Sequence, residues 1–172
     1  MRRFEHIFWL NLRQSSLSSC AATTFAKMLP SFELLEELSL FEAGIDDVDV
    51  EKVLLALKSC KKLKHLSLSK TNVGARGATT LAKMLPSFEL LEELYLSETG
   101  LDEVDVEKVL LVLKLCKRLR ILNLGKNKVR ARGATALAKM LPLFELWVDL
   151  CLCEAGLDEV DVENVHKVVK IV

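Results

Sequence analysis

His65 stands 28 residues after Glu37 and 28 before Glu93. An imidazole set between two carboxylates can relay a proton in general acid–base work, or it can be one rung of a charge ladder. The other histidines, His6 and His166, have no partners recurring at that spacing, and no histidine lies at zinc-ligand spacing from a cysteine. No Gly-x-Ser-x-Gly, P-loop, Gly-x-Gly-x-x-Gly or Cys–His nucleophile pairing occurs. We therefore read His65 as ladder chemistry and expect neither an enzyme nor a cofactor. The five cysteines include no Cys-x-x-Cys. Cys60 and Cys116 read as buried apolar filler at helix ends, with no metal or redox role. Cys151 and Cys153 would project to one side of a strand, as a candidate reactive pair.

These residues need a scaffold that brings positions 28 apart side by side. The frame Leu-x-x-Leu-x-Leu supplies it: Ile7/Leu10/Leu12, Leu35/Leu38/Leu40, Leu63/Leu66/Leu68, Leu91/Leu94/Leu96, Leu119/Leu122/Leu124 and Trp147/Leu150/Leu152. The second and third apolar residues of each frame are two apart, so they share one face of a strand. A helical pattern follows each frame. One strand and one helix cannot bury their own apolar faces, so each unit needs neighbours. The spacing predicts strand Phe8 to Leu12 and helix Ser18 to Leu29 in repeat 1, with Ser18 or Ser19 as cap and Pro30 stopping the helix. In repeat 2, acidic residues open the helix, and Val50, Val53, Leu54 and Leu57 form its inward stripe. The last helix is expected over 158–172.

The repeat length and the helix Gly-Ala-x-x-Leu-Ala, at Gly77 to Ala82 and Gly133 to Ala138, resemble the leucine-rich repeats of the ribonuclease-inhibitor-like subclass. The resemblance implies an α/β solenoid, a horseshoe arc of six 28-residue β-α repeats starting near 7, 35, 63, 91, 119 and 147. Parallel strands would line the concave face and helices the convex face. Ser31 to Cys60 and Ser87 to Cys116 match at 23 of 30 positions, so the true unit is a pair of repeats. Residues 1–172 read as a single domain. Neither end has a polar capping element, so we expect a segment of a longer array, with self-association through uncapped ends as an open alternative.

Where the chain leaves each strand, the bend residues are Ser15, Ala43, Thr71, Thr99, Asn127 and Ala155. Alanine offers no side-chain hydrogen bond, which predicts a looser bend, or a water, at repeats 2 and 6.

Basic and acidic residues balance at 24 each, which argues against a nucleic-acid or acidic-membrane binder. No stretch approaches the roughly 20 apolar residues of a membrane span, and the N-terminal apolar run is too broken for a signal peptide. A cytoplasmic location is expected. Counting the first apolar residue of each frame as position 1, position 8 runs Gln14, Glu42, Lys70, Glu98, Lys126, Glu154. Position 2 runs Phe8, Glu36, Lys64, Glu92, Arg120, Val148. Position 3 runs Trp9, Glu37, His65, Glu93, Ile121, Asp149. Sign alternates repeat by repeat. This predicts either lateral salt-bridge ladders, each lysine between two glutamates, or a striped recognition surface. Trp9 (or Phe8), Phe41 and Tyr95 fall on outward strand positions and are candidate interface anchors.

The candidate partner-binding set is thus Trp9, Phe41, Tyr95, Glu37, His65, Glu93, Lys70 and Lys126, facing a protein of unknown identity. The resemblance extends to the repeats of NOD-like receptors, which implies a sensing or autoinhibitory role in innate immunity. Two alternatives stay open: a GTPase-activating regulator of a Ran-type GTPase, with Arg76, Arg130 and Arg132 in loops, and a ribonuclease inhibitor. The absence of a net acidic face counts against the latter.

Overall fold

Alternating leucines make strands only where another strand lies alongside, and here every strand finds its successor. The computed structural model describes residues 6–144 and 149–167. Within them one parallel sheet runs in chain order through β1 (Trp9–Asn11), β2 (Glu37–Ser39), β3 (His65–Ser67), β4 (Glu93–Tyr95), β5 (Ile121–Asn123) and β6 (Asp149–Cys151). Leu10 stands opposite Leu38, Leu38 opposite Leu66, and so on through Leu94 and Leu122 to Leu150. The register is the sequence period itself. The strands are one residue shorter at each end than the Phe8 to Leu12 expected for repeat 1.

Each strand is followed by a helix: α1 (Ser19–Met28), α2 (Asp47–Leu57), α3 (Gly74–Met84), α4 (Glu103–Leu113), α5 (Arg130–Met140) and α6 (Glu159–His166). The core lies between sheet and helices. The frame leucines of repeats 2 to 5 are fully buried, as are Val50, Val53, Leu54 and Leu57 of the predicted stripe. Ile7, Leu10, Leu12, Leu150 and Leu152, in the outer repeats, are only partly buried. Trp147, Val148 and residues 168–172, which carry the sixth frame's first position and the expected end of the last helix, lie outside the described residues.

Odd and even helices are built differently. The even ones start on an aspartate: Asp46 Oδ1 accepts from the Asp49 amide at 2.8 Å, and Asp158 Oδ1 from the Asp161 amide at 2.8 Å. Each such cap satisfies an amide that has no intrahelical partner. In α1, Ser18 caps as expected, accepting from the Ala21 amide at 3.3 Å. The odd helices end in a proline. Pro30, Pro86 and Pro142 each sit inside a short 3₁₀ turn that follows directly on the helix. Gly77 lets α3 approach α2. A Cβ there would stand 3.3 Å from Val50 Cγ1 and 2.7 Å from Val73 Cγ1.

The looser bend expected at Ala43 and Ala155 is not formed. The residue before each bend is left-handed in all six repeats, with φ of 53° at Gln14, 52° at Glu42, 55° at Lys70, 56° at Glu98, 56° at Lys126 and 53° at Glu154. At the alanines the backbone closes the turn itself: the Ala43 amide donates to Leu40 O at 3.1 Å and the Ala155 amide to Leu152 O at 3.2 Å. Side-chain bonds elsewhere cover the carbonyls in question. Thr71 Oγ1 donates to Leu40 O at 2.7 Å. Asn127 Nδ2 donates to Leu96 O at 2.6 Å and to Leu124 O at 3.1 Å. Ser15 Oγ donates to Leu12 O. The carbonyl that precedes each alanine repeat is thus served by its own repeat's bend residue.

Asn127 carries more than any other bend residue. Its Oδ1 also accepts from the Thr99 amide, Thr99 Oγ1 and the Leu101 amide at 3.1–3.2 Å. Truncation would leave several buried backbone groups unpaired, each costing about 1–3 kcal/mol. Asn127→Ala is expected to lower the unfolding free energy by about 2–4 kcal/mol, read as a drop in urea midpoint. Thr71→Ala, which removes a single bond, is expected to cost less than half as much in the same titration.

Candidate functional site

The strand face is set by register. Residues 28 apart stand on adjacent strands roughly 4.8 Å apart, and alternate residues of one strand share a face. Glu93 and Tyr95 are such a pair on β4, and His65 is the cross-strand neighbour of Glu93. The three meet at one atom. Tyr95 Oη donates to Glu93 Oε2 at 2.7 Å, and His65 Nδ1 lies 3.0 Å from the same oxygen. Glu37, the other expected partner of His65, stays exposed and makes no ion pair among the described residues.

Burial alone would raise the Glu93 carboxyl, but the hydrogen bonds from Tyr95 and His65 outweigh it and hold the group below the usual carboxylate value. Burial, reinforced by the Glu93 charge, pushes the Tyr95 phenol up to about 12. Near neutral pH Glu93 is thus a fixed acceptor and Tyr95 a fixed donor. Neither is poised for the proton transfer that catalysis near neutrality requires, and the ladder reading of this cluster fits the geometry.

Phe41, at position 7 of repeat 2, is held from both sides. The Arg13 guanidinium lies 4.5 Å from its ring centroid and Lys70 Nζ 5.4 Å. Cations over an aromatic face contribute about 0.5–1 kcal/mol each at exposed sites. Arg13 was not singled out in the sequence, although it stands 28 residues before Phe41 and so on the neighbouring repeat. Trp9 is 61% exposed and Phe8 50%, so these rings project free of the sheet.

The ladders form on one side only. Lys64 Nζ pairs with Glu36 at 2.8 Å, and Glu36 holds the Lys64 amine above its ordinary value. Lys126 Nζ lies 3.8 Å from Glu98, and Gln14 Nε2 donates to Glu42 at 2.9 Å. In each case the later repeat meets the earlier one or the reverse, never both neighbours at once. Lys70, expected between Glu42 and Glu98, pairs with neither among the described residues and turns to Phe41 instead.

The arginines expected in loops are not there. Arg76 lies in the first turn of α3, and Arg130 and Arg132 open α5. The helices begin on left-handed residues, Gly74 with φ of 53° and Arg130 with φ of 47°, so the strand-to-helix connections end before these arginines. Arg132 Nε also lies 3.8 Å from Glu107. Cys60 and Cys116 are fully buried, their sulfurs 3.6 and 3.5 Å from Leu29 O and Leu85 O. Burial pushes these thiols up to about 11 and about 12, which suits filler and not a nucleophile. Among the described residues no group of three or more His, Cys, Asp or Glu could hold a metal ion, and no helix is long and apolar enough to cross a membrane.

Tyr95 is the chain's single tyrosine, so its phenolate can be followed alone by ultraviolet absorbance. It should titrate at about 12, and Glu93→Gln should move it down toward about 10. The folded state then holds a proton that the unfolded state has lost between those values, so stability should fall as pH rises from about 10 to 12. A wild-type midpoint near 10 would show that the Tyr95–Glu93 contact does not form.

A family model described as Leucine Rich repeat matches residues 59–82 and 116–138. Both stretches run from the buried cysteine through the strand into the Gly-Ala helix of an odd repeat. Protein NLRC5 of Ictalurus punctatus is 36% identical over 107 residues, 59% of this chain. The match spans 6% of that protein's length. The solved tropomodulin C-terminal domain of Caenorhabditis elegans superposes with a TM-score of 0.63, covering 87% of this chain and 91% of that one at 12% identity. That likeness is one of fold. With its in-register parallel sheet and repeating frame, the chain has the fold of a leucine-rich-repeat solenoid, and it is similar over 107 residues to part of a NOD-like receptor.

Proposed function

We propose that this chain is a protein-docking scaffold, the sensing or regulatory repeat region of a cytoplasmic innate immune protein of the NOD-like-receptor type. The observation that carries the reading is the pinning of two aromatics on the strand face. Phe41 is held between Arg13 and Lys70, and Tyr95 is tied to Glu93. An anchor already fixed in place loses little side-chain freedom on binding, typically about 0.5–1.5 kcal/mol per side chain otherwise immobilised. Trp9 extends the apolar surface toward repeat 1. His65, Glu93, Lys70 and Lys126 place polar groups around the anchors, and Glu37 adds an exposed carboxylate. This is the plan of an interface, an aromatic centre within a polar rim. The balanced charge of the chain gives a partner little long-range steering, so recognition rests on contact.

The test is a binding partner isolated on the immobilised chain, with its affinity then measured against purified variants. Phe41→Ala combined with Tyr95→Ala should weaken binding by more than about 2 kcal/mol, roughly thirtyfold. Leu55→Ala, on the helix α2 surface, should leave it unchanged. Equal affinity of the double variant and the wild type would remove the strand face as the docking surface.

A further inference from the structure

Position 5 carries Asn11, Ser39, Ser67, Tyr95, Asn123 and Cys151, and position 7 carries Arg13, Phe41, Ser69, Ser97, Gly125 and Cys153. Repeat 6 alone has a cysteine at both. The two sulfurs converge, with Cys151 Sγ 3.4 Å from Cys153 Sγ. Cys153 is exposed and Cys151 partly so. The neighbouring strand makes room for them. Gly125 stands beside Cys153, and a Cβ on it would lie 2.6 Å from Cys153 Sγ. Asn123 secures that notch, its Oδ1 accepting from the Gly125 amide at 3.0 Å. The hydrogen bond with Cys151 holds the Cys153 thiol above its ordinary value.

Both sulfurs are free thiols, with Cys151 at the end of β6 and Cys153 in the turn that follows, and a single bridging atom can join them. With two bonds of about 2.3 Å, the length of a metal–thiolate bond, a bite of 3.4 Å subtends an angle of about 95°. That is far from the linear arrangement of a two-coordinate copper(I) ion. It suits a pyramidal centre bearing a lone pair, of which arsenic(III) is the type.

We propose that Cys151 and Cys153 form a bidentate dithiol site on the strand face that chelates a thiophilic pyramidal centre such as a trivalent arsenical. With a monosubstituted arsine oxide, two arsenic–sulfur bonds form and the arsenic–oxygen bond is lost. The oxygen leaves with both thiol protons as water, and no atom changes oxidation state. The remaining cysteines cannot compete. Cys60 and Cys116 are buried, and Cys20 is exposed without a second thiol beside it.

Phenylarsine oxide titrated into the reduced full chain tests the site, with free thiols counted by a chromogenic disulfide and the adduct weighed by intact mass. One equivalent should remove two accessible thiols and add one phenylarsenic group. Cys151→Ser and Cys153→Ser should each weaken capture at least tenfold, and Cys20→Ser should leave it unchanged. Gly125→Ala, which keeps every thiol but fills the notch, should also weaken capture. Failure of one equivalent to remove two thiols, or capture undiminished in either single-cysteine variant, would overturn the proposal. In a parallel arm, copper(I) is offered against a chromogenic copper chelator. Retention of copper(I) without capture of the arsenical would overturn the pyramidal assignment.

Discussion

Register is the constraint on which everything else rests. No single strand and helix here can bury its leucines, so each frame must lie directly against the next. The ladder does not stop at the three-residue strands. The left-handed residue that follows each strand donates its amide to the position 7 carbonyl of the next repeat: Gln14 to Phe41, Glu42 to Ser69, Lys70 to Ser97, Glu98 to Gly125 and Lys126 to Cys153, all at 2.7–3.0 Å. A left-handed non-glycine residue is unfavourable alone. In repeats 1 to 5 the bond to the neighbour offsets that cost; Glu154 in repeat 6 holds the same φ without such a bond among the described residues. An inserted residue would break this column and send the side chains of one strand to the wrong face.

The second level of order is the pair of repeats. Even helices begin on an aspartate cap; α3 and α5 carry the glycine that admits the neighbouring valine, where α1 has Ala21. Gly133 meets Val106 of α4, with 3.2 Å from a Cβ to Val106 Cγ1, as Gly77 meets Val50 of α2. The bends follow the same alternation. Odd-repeat side chains, Thr71 and Asn127, donate back to carbonyls of the even repeat before them. Even repeats can therefore do without a bonding side chain, as at Ala43. The 56-residue similarity in the sequence marks a unit of packing and hydrogen bonding, whatever its origin.

That division explains what was legible in the sequence. Strand register, helix positions, the inward stripe and the buried role of Cys60 and Cys116 all follow from period, and a period is written in the chain. The bends depart from the expectation because the turn does not need a side chain at every repeat: backbone bonds close it at Ala43 and Ala155. The arginines lie in helices and not in loops because α3 starts at Gly74 and α5 at Arg130, a matter of one or two backbone angles. At the candidate site the face and its aromatics could be read, but the partners could not. A long side chain can reach several neighbours about one strand spacing away, and packing decides among them. Lys70 lies within reach of two glutamates and a phenylalanine, and it takes the ring.

The same choice shapes what the face offers a partner. Glu36 is occupied by Lys64, Glu98 by Lys126, Glu42 by Gln14 and Glu93 by Tyr95 and His65. These are half-exposed contacts, each contributing little to stability; Lys64–Glu36 and Lys126–Glu98 join opposite charges, while Gln14 and Tyr95 are neutral donors. A surface whose charges are already paired is less costly to cover, because a partner need not supply a counter-charge for each. Among the described residues Glu37 is exposed and makes no ion pair, whereas Phe41 and Tyr95 are held by their neighbours. Glu36, Glu42, Glu93 and Glu98 each meet a side chain of a neighbouring repeat among the described residues, while the rings of Phe8 and Trp9 project free of the sheet.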